Sequence, residues 1–164
     1  MMDLARLLQT LSDSEVEFII IGGVAAVAHG SARLTQDLDI SYSRDPKNLS
    51  RLVSALAPHS PYLRGAPPGP PFHWDQSTIE RGLNFTLTTT LGDTDLLGEI
   101  AGGGSYDDLK PHTQSIEILG VECSCLDLDW LIKVKRAAGR LRDIETVAEL
   151  EAIRDESEDS SAGG

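Results

Sequence analysis

Leu4, Leu7, Leu8 and Leu11 recur at intervals of three and four, the spacing of one helix face, and predict a helix over 3–12. The period then changes. Residues 18–21 are apolar and mostly β-branched, and Gly22 and Gly23 close the run, which predicts a short buried strand over 16–21. The small-residue segment 24–29 suits a packed helix ended by Gly30. Residues 34–42 alternate polar and apolar side chains and predict a second strand. Asp45 and Pro46 stand as cap and first position of a third helix, with Leu49, Leu52, Val53 and Leu56 facing inward and Pro58 ending it. Residues 58–74 hold most of the chain's prolines and predict a long loop carrying His59, Tyr62, Arg64, His73 and Trp74. Residues 78–80 are expected to lead into a strand over 82–91. A turn at Gly92 and Asp93 follows, then a paired strand over 95–100. Segment 101–106 is glycine-rich and expected to be flexible. Residues 114–119 and 121–125 predict a hairpin through Gly120. Asp127 is placed to cap a last helix over 128–153. At 100° per residue, its buried stripe is expected to be Trp130, Val134, Ala137, Leu141, Ile144 and Ala148. Asp129, Lys133, Arg136, Arg140 and Asp143 form a stripe beside it.

The fold class that follows is α/β in the broad sense (α+β), a mixed sheet with flanking helices and a C-terminal helix. Candidate chemistry concentrates in residues 18–41. Side chains at i and i+2 of a strand point the same way, so Asp37 and Asp39 share a face and Leu38 and Ile40 share the other. Two neighbouring carboxylates repel unless a cation lies between them, and an oxygen-only donor set favours Mg2+ or Mn2+. Taken singly, a glycine pair marks a turn and alternating acids mark a wet strand face. Arg33 suits phosphate oxygens and Thr35 suits a phosphate or a backbone group, and strand-edge solvation explains both equally well. His29 reads first as a helix-end histidine bonded to a carbonyl. On the last helix, the basic stripe suits either an anion in a cleft or a solvated face laced with pairs such as Asp129 and Lys133.

Composition narrows this picture. With 164 residues, 40% apolar and 24% charged, the chain suits a single domain over 1–154. The net charge is -12, and residues 155–164 contribute four acids and no base, which predicts a disordered acidic tail. That balance opposes a broad electrostatic grip on nucleic acid. No apolar run approaches the roughly 20 residues that span a bilayer, and no signal-peptide pattern opens the chain, so the expected location is the cytoplasm, with no membrane contact. Cys123 and Cys125 are too close for an unstrained bridge and too few for a zinc site, and are expected as free buried thiols.

The order of apolar strand, GG, short helix and then R-x-T-x-D-x-D resembles the nucleotidyltransferase superfamily, the fold shared with DNA polymerase β, and the run LDWLIKVKRAAGRLRDIETVAEL resembles the closing helix of its minimal, abortive-infection toxin-like members. The resemblance spans roughly 4–150. It implies a third carboxylate on a neighbouring strand, for which Asp95 in TDLLGEI is the preferred candidate and Asp93 the competitor. It also implies that Asp37, Asp39 and Asp95 bind two metal ions and act in catalysis. Gly22 and Gly23 would then present backbone N–H groups to phosphates, while Arg33, Thr35, Lys133 and Arg136 bind the nucleotide. Asp143 would fix a basic residue nearby. The reaction implied is transfer of a nucleoside monophosphate from a nucleoside triphosphate to an acceptor hydroxyl. RNA ends, proteins and small molecules are all open as acceptors, and the setting implied is toxin–antitoxin or phage defence. The alternative is a non-catalytic member of the fold that binds nucleotide or a protein partner.

Overall fold

The computed structural model describes residues 2–67 and 72–162, the side chains of 142, 161 and 162 apart. Helix α1 (Leu4–Asp13) starts at Asp3, whose carboxylate accepts from the Arg6 N–H, and buries Leu7, Leu8 and Leu11. Strand β1 (Phe18–Ile21) is buried along its whole length, as its unbroken apolar run requires. Helix α2 (Gly22–Ala28) follows without a loop, and its end is tied down by His29, whose Nε2–H donates to the Leu126 carbonyl at 2.8 Å. Strand β2 (Asp37–Tyr42) alternates as expected at its start, with Leu38 and Ile40 fully buried. Asp45 caps α3 (Pro46–Leu56) through the Lys47 N–H, and a 3-10 turn over Ala57–His59 continues past Pro58.

The loop expected over 58–74 is shorter than its prolines suggest. Strand β3 (Tyr62–Leu63) pairs with β4 (Asn84–Thr89), and residues 68–71 lie outside the described residues. Asp75 caps a helix, α4 (Gln76–Arg81), where a strand approach was expected. Its carboxylate accepts from Thr78 N–H and the helix buries a single apolar side chain, Ile79, too little to register as a period. Strand β5 (Gly92–Leu97) begins three residues earlier than expected, so Asp93 stands on the strand and not in the turn. Segment 101–106 is ordered by a small hairpin of β6 (Glu99–Ile100) and β7 (Gly104–Ser105), followed by α5 (Tyr106–Leu109). The hairpin of β8 (Thr113–Ile118) and β9 (Val121–Leu126) lies where the alternation placed it.

The main sheet has seven strands in the order β3-β4-β5-β2-β1-β9-β8. Strands β1 and β2 run antiparallel, whereas β2 with β5 and β1 with β9 run parallel, so the sheet is mixed. The last helix is broken. Helix α6 (Leu128–Ala138) ends at Gly139, whose φ of 63° is a left-handed stop, and α7 (Leu141–Ala162) turns back to pack on α6. The break shifts the helical phase. Leu131, Ile132 and Lys135 are the buried residues of α6, while Leu141 and Ile144 are 85% and 62% exposed. The acidic segment expected as a disordered tail continues α7 as helix through residue 162, with 163–164 outside the described residues. No described helix is long and apolar enough to cross a membrane.

Candidate active site: a carboxylate array facing a cationic helix corner

Parallel pairing of β2 and β5 sets the site. Their register puts Asp37 beside Asp93 and Asp39 beside Asp95. Period-two geometry then turns all four carboxylates to one face of the sheet. Asp37, Asp39 and Asp95 can each offer one oxygen such that the three oxygens lie within 4.8 Å of one another. Among the described residues this is the one acidic, His or Cys cluster arranged to hold a metal ion. Asp39 is the innermost. Burial, together with the charges of Asp37 and Asp95, pushes its carboxyl up to about 7, and its buried Oδ1 has no hydrogen-bond partner.

The two glycines make room for this array. Gly22 has a φ of 71°, and a Cβ there would run into the Asp39 carboxylate. A Cβ on Gly23 would stand 2.7 Å from Thr35 Oγ1. The turn from β1 into α2 therefore packs directly under the aspartate strand, which only glycine permits. Thr35 in turn donates to the Asp37 carbonyl at 3.1 Å and holds the strand entry.

Beside the carboxylates lies a cleft of ≈ 300 Å³ lined by Gly23, Ser31, Arg33, Thr35, Asp37, Asp39 and Asp95, with Lys135, Arg140, Asp143 and Thr146 on the far wall. Lys135 is 9% exposed and lies 3.8 Å from Asp143 Oδ1, and Arg140 Nε donates to Asp143 Oδ2 at 2.7 Å. Asp143 thus holds two cations at the α6–α7 corner, in keeping with its expected tie to a basic neighbour. Arg33 reaches the cleft from the other side and pairs with Glu145 on α7 at 2.8 Å. Glu149 accepts from Ser31 Oγ and the Ala32 N–H, Ser31 being the stronger cause of its lowered pKa, and fastens the same loop to α7.

Of the residues singled out from sequence, Gly22, Gly23, Arg33, Thr35, Asp37, Asp39 and Asp95 come together here. Lys133 and Arg136 do not line the cleft. The Lys133 ammonium sits 4.1 Å over the Trp130 ring, itself stacked on His112, and Arg136 pairs with Glu151 on α7. Lys135 takes the inward place instead. It follows Leu131 by four residues on the face that α6 buries, one position round from the expected stripe through Trp130 and Val134. Arg64 left no periodic signal. It lies in the proline-rich stretch, yet its guanidinium reaches Asp95 at 2.8 Å, Asp93 at 3.3 Å and Asp37 at 3.8 Å. Cys123 and Cys125 are free and buried away from the cleft, with burial raising their thiols to about 11 and 12.

No protein-family model matches the sequence, and no curated protein is similar enough to count as a relative. Solved structures are similar in fold. A candidate nucleotidyltransferase from Thermotoga maritima superposes with a TM-score of 0.58 at 15% identity, over 91% of this chain and 94% of that one. The chain has the nucleotidyltransferase fold. An antigenic nucleotidyltransferase-like protein from Paracoccidioides brasiliensis gives a TM-score of 0.49 at 15% identity, over 89% of this chain and 73% of that one. In the nucleotidyltransferase fold of this chain, the acidic array occupies the central strands and the cleft opens beside it under the α6–α7 corner.

Proposed function

We propose that the protein is a metal-dependent nucleotidyltransferase, moving a nucleoside monophosphate from a nucleoside triphosphate to an acceptor hydroxyl. The supporting observation is that three convergent carboxylates share one cleft with Arg33, Lys135 and Arg140. Carboxylates alone repel a triphosphate, and cations alone need no such carboxylates. The two together suit a polyanion that arrives with metal. The residues fit a hard divalent cation, because the donors are all carboxylate oxygens and Asp39 Oδ1 is buried with no hydrogen-bond partner. Asp37, Asp39 and Asp95 would hold Mg2+ or Mn2+, which when bound supplies charge neutralisation and Lewis-acid polarisation at the phosphate.

The chain's own residues do the rest. Lys135, Arg140 and Arg33 hold the triphosphate oxygens and fix its orientation in the cleft. Thr35 and the Gly23 N–H border the same space. The acceptor oxygen forms a bond to the α-phosphorus as the bridging P–O bond to the β-phosphate breaks, and pyrophosphate leaves. The hydroxyl proton passes to Asp95. The acceptor in this proposal is an RNA end, a protein hydroxyl or a small molecule, and a protein partner in a toxin–antitoxin or defence setting belongs to it.

One observation favours a second reading. Arg64 already neutralises part of the carboxylate array, which is how a site that takes no metal would be held together. In that reading the protein binds nucleotide or a protein partner without turnover. Pyrophosphate release from the four ribonucleoside triphosphates, with cell extract as acceptor, separates the two. Wild type is expected to release it only with Mg2+, and folded Asp37→Ala to lose at least about a hundredfold. Release by Asp37→Ala at the wild-type rate would overturn the enzyme reading, and Mg2+-dependent nucleotide binding without release would support the partner reading.

A further inference from the structure

Arg64 takes no part in the transfer chemistry above, and its placement is specific. Its backbone N–H donates to the Thr86 carbonyl at 2.9 Å, which fixes it at the end of β3. From there its side chain crosses β4 to reach β5. The β4 residues opposite Asp95 and Asp93 are Thr86 and Thr88, short side chains that leave the passage open. The guanidinium donates from Nη2 to both the Leu87 carbonyl and Asp95 Oδ1 at 2.8 Å. Its Nε lies 3.3 Å from Asp93 Oδ2, and Nη1 lies 3.8 Å from Asp37 Oδ2. Thr88 Oγ1 donates to the other Asp93 oxygen at 3.0 Å. Asp93 is therefore held by Arg64 and Thr88 and stands outside the trio that can converge on a metal, whereas Asp95 and Asp37 belong to both sets.

We propose that Arg64 is a built-in counter-cation that competes with the divalent metal for Asp95 and Asp37. This rests on the metal-site reading above. A guanidinium and a divalent ion sharing two carboxylates repel each other, and each weakens the other's hold by the same factor. Arg64 thereby offsets the mutual repulsion of the acids and sets a weak resting metal affinity. A triphosphate that brings its own metal overcomes this, whereas metal alone at low concentration does not. The proposal separates Arg64 from a positioning residue, whose loss would disorder Asp95 and weaken metal binding.

The test is Mn2+ binding, followed by the loss of free-ion electron paramagnetic resonance signal, for full-length wild type, Arg64→Gln, Arg64→Lys and Asp39→Asn. The competition predicts that Arg64→Gln binds Mn2+ about tenfold more tightly than wild type. Arg64→Lys, which keeps the charge and loses the fork, should stay within about threefold of wild type. Thermal unfolding supplies a second readout. Arg64→Gln should melt below wild type without metal and gain more from added Mn2+ than wild type gains, so an Arg64→Gln protein that folds only with metal also supports the proposal. Equal or weaker Mn2+ binding by Arg64→Gln, with binding intact in wild type and lost in Asp39→Asn, overturns the competition and leaves the metal site standing. No saturable Mn2+ binding by wild type, or undiminished binding by Asp39→Asn, overturns the metal-site reading and this inference with it.

Discussion

The cleft has two walls built by different means. The acidic wall stands on β2 and β5, central strands whose parallel register sets Asp37 and Asp39 directly beside Asp93 and Asp95. Backbone hydrogen bonds lock those positions whatever the side chains do. The cationic wall stands on a corner between two helices, where Gly139 ends α6 and Asp143 gathers Lys135 and Arg140. There, position depends on helical phase and on ion pairs between side chains. The acidic wall crowds four carboxylates around one counter-ion, Arg64, whereas on the cationic wall one carboxylate, Asp143, holds two cations. A triphosphate with metal complements both walls at once.

Substitutions should respond to this difference in a graded way. The largest effect is expected at the base of the acidic wall. Gly22→Ala combines a left-handed φ of 71° with a Cβ that collides with Asp39, and should cost about 3 kcal/mol in chemical denaturation. Next comes the cationic wall. Lys135→Gln should weaken nucleotide binding by about thirtyfold, the scale of one charge-assisted hydrogen bond, while Lys133→Gln stays within about twofold. Equal effects of the two would mean that the inward turn of Lys135 is irrelevant to binding.

Acidity separates the walls as well. Asp39 carries a carboxyl raised from 3.8 to about 7 by burial and by its acidic neighbours. In the unfolded chain it ionises near 3.8, so between those values the folded protein holds a proton that the unfolded chain has lost. The stability contributed by this group is full below pH 3.8 and is lost as pH rises through about 7. Metal binding must displace the same proton. Mn2+ affinity of the wild type should accordingly fall about tenfold per pH unit below 7 and level off above it. The smallest effect belongs to the helix corner. Gly139→Ala meets no neighbouring atom and pays only the left-handed strain, about 1 kcal/mol by thermal melting.

The same contrast decides what could be read from sequence. Period-two alternation placed Asp37 and Asp39 on one face, and GG before a small-residue helix marked the turn beneath them, because both depend on local backbone geometry alone. Asp95 was placed by the resemblance, which calls for a third carboxylate on a strand beside the first two. Asp93 was misplaced because β5 begins at Gly92, earlier than the alternation indicated. On the other wall, an unbroken 100° rotation carried past Gly139 made Leu141 and Ile144 look buried, while Lys133 was assigned to the nucleotide by the resemblance. A glycine followed by Arg140 and Leu141 is ambiguous without the packing of α7 on α6. Arg64 was legible by no period at all, since its role comes from a side chain crossing one strand to reach another. The acidic helix beyond residue 154 was hidden by composition, which measures charge and not the run of residues already helical upstream.

The most direct test of the two-wall account is calorimetric binding of a non-hydrolysable α,β-methylene ribonucleoside triphosphate to wild type and Asp39→Asn, each with Mg2+ and with EDTA. The account predicts measurable affinity only for wild type with Mg2+, with a loss of at least about tenfold in the other three combinations. The same affinity in all four would contradict it, because the nucleotide would then be held by the cationic wall alone and the carboxylate array would take no part.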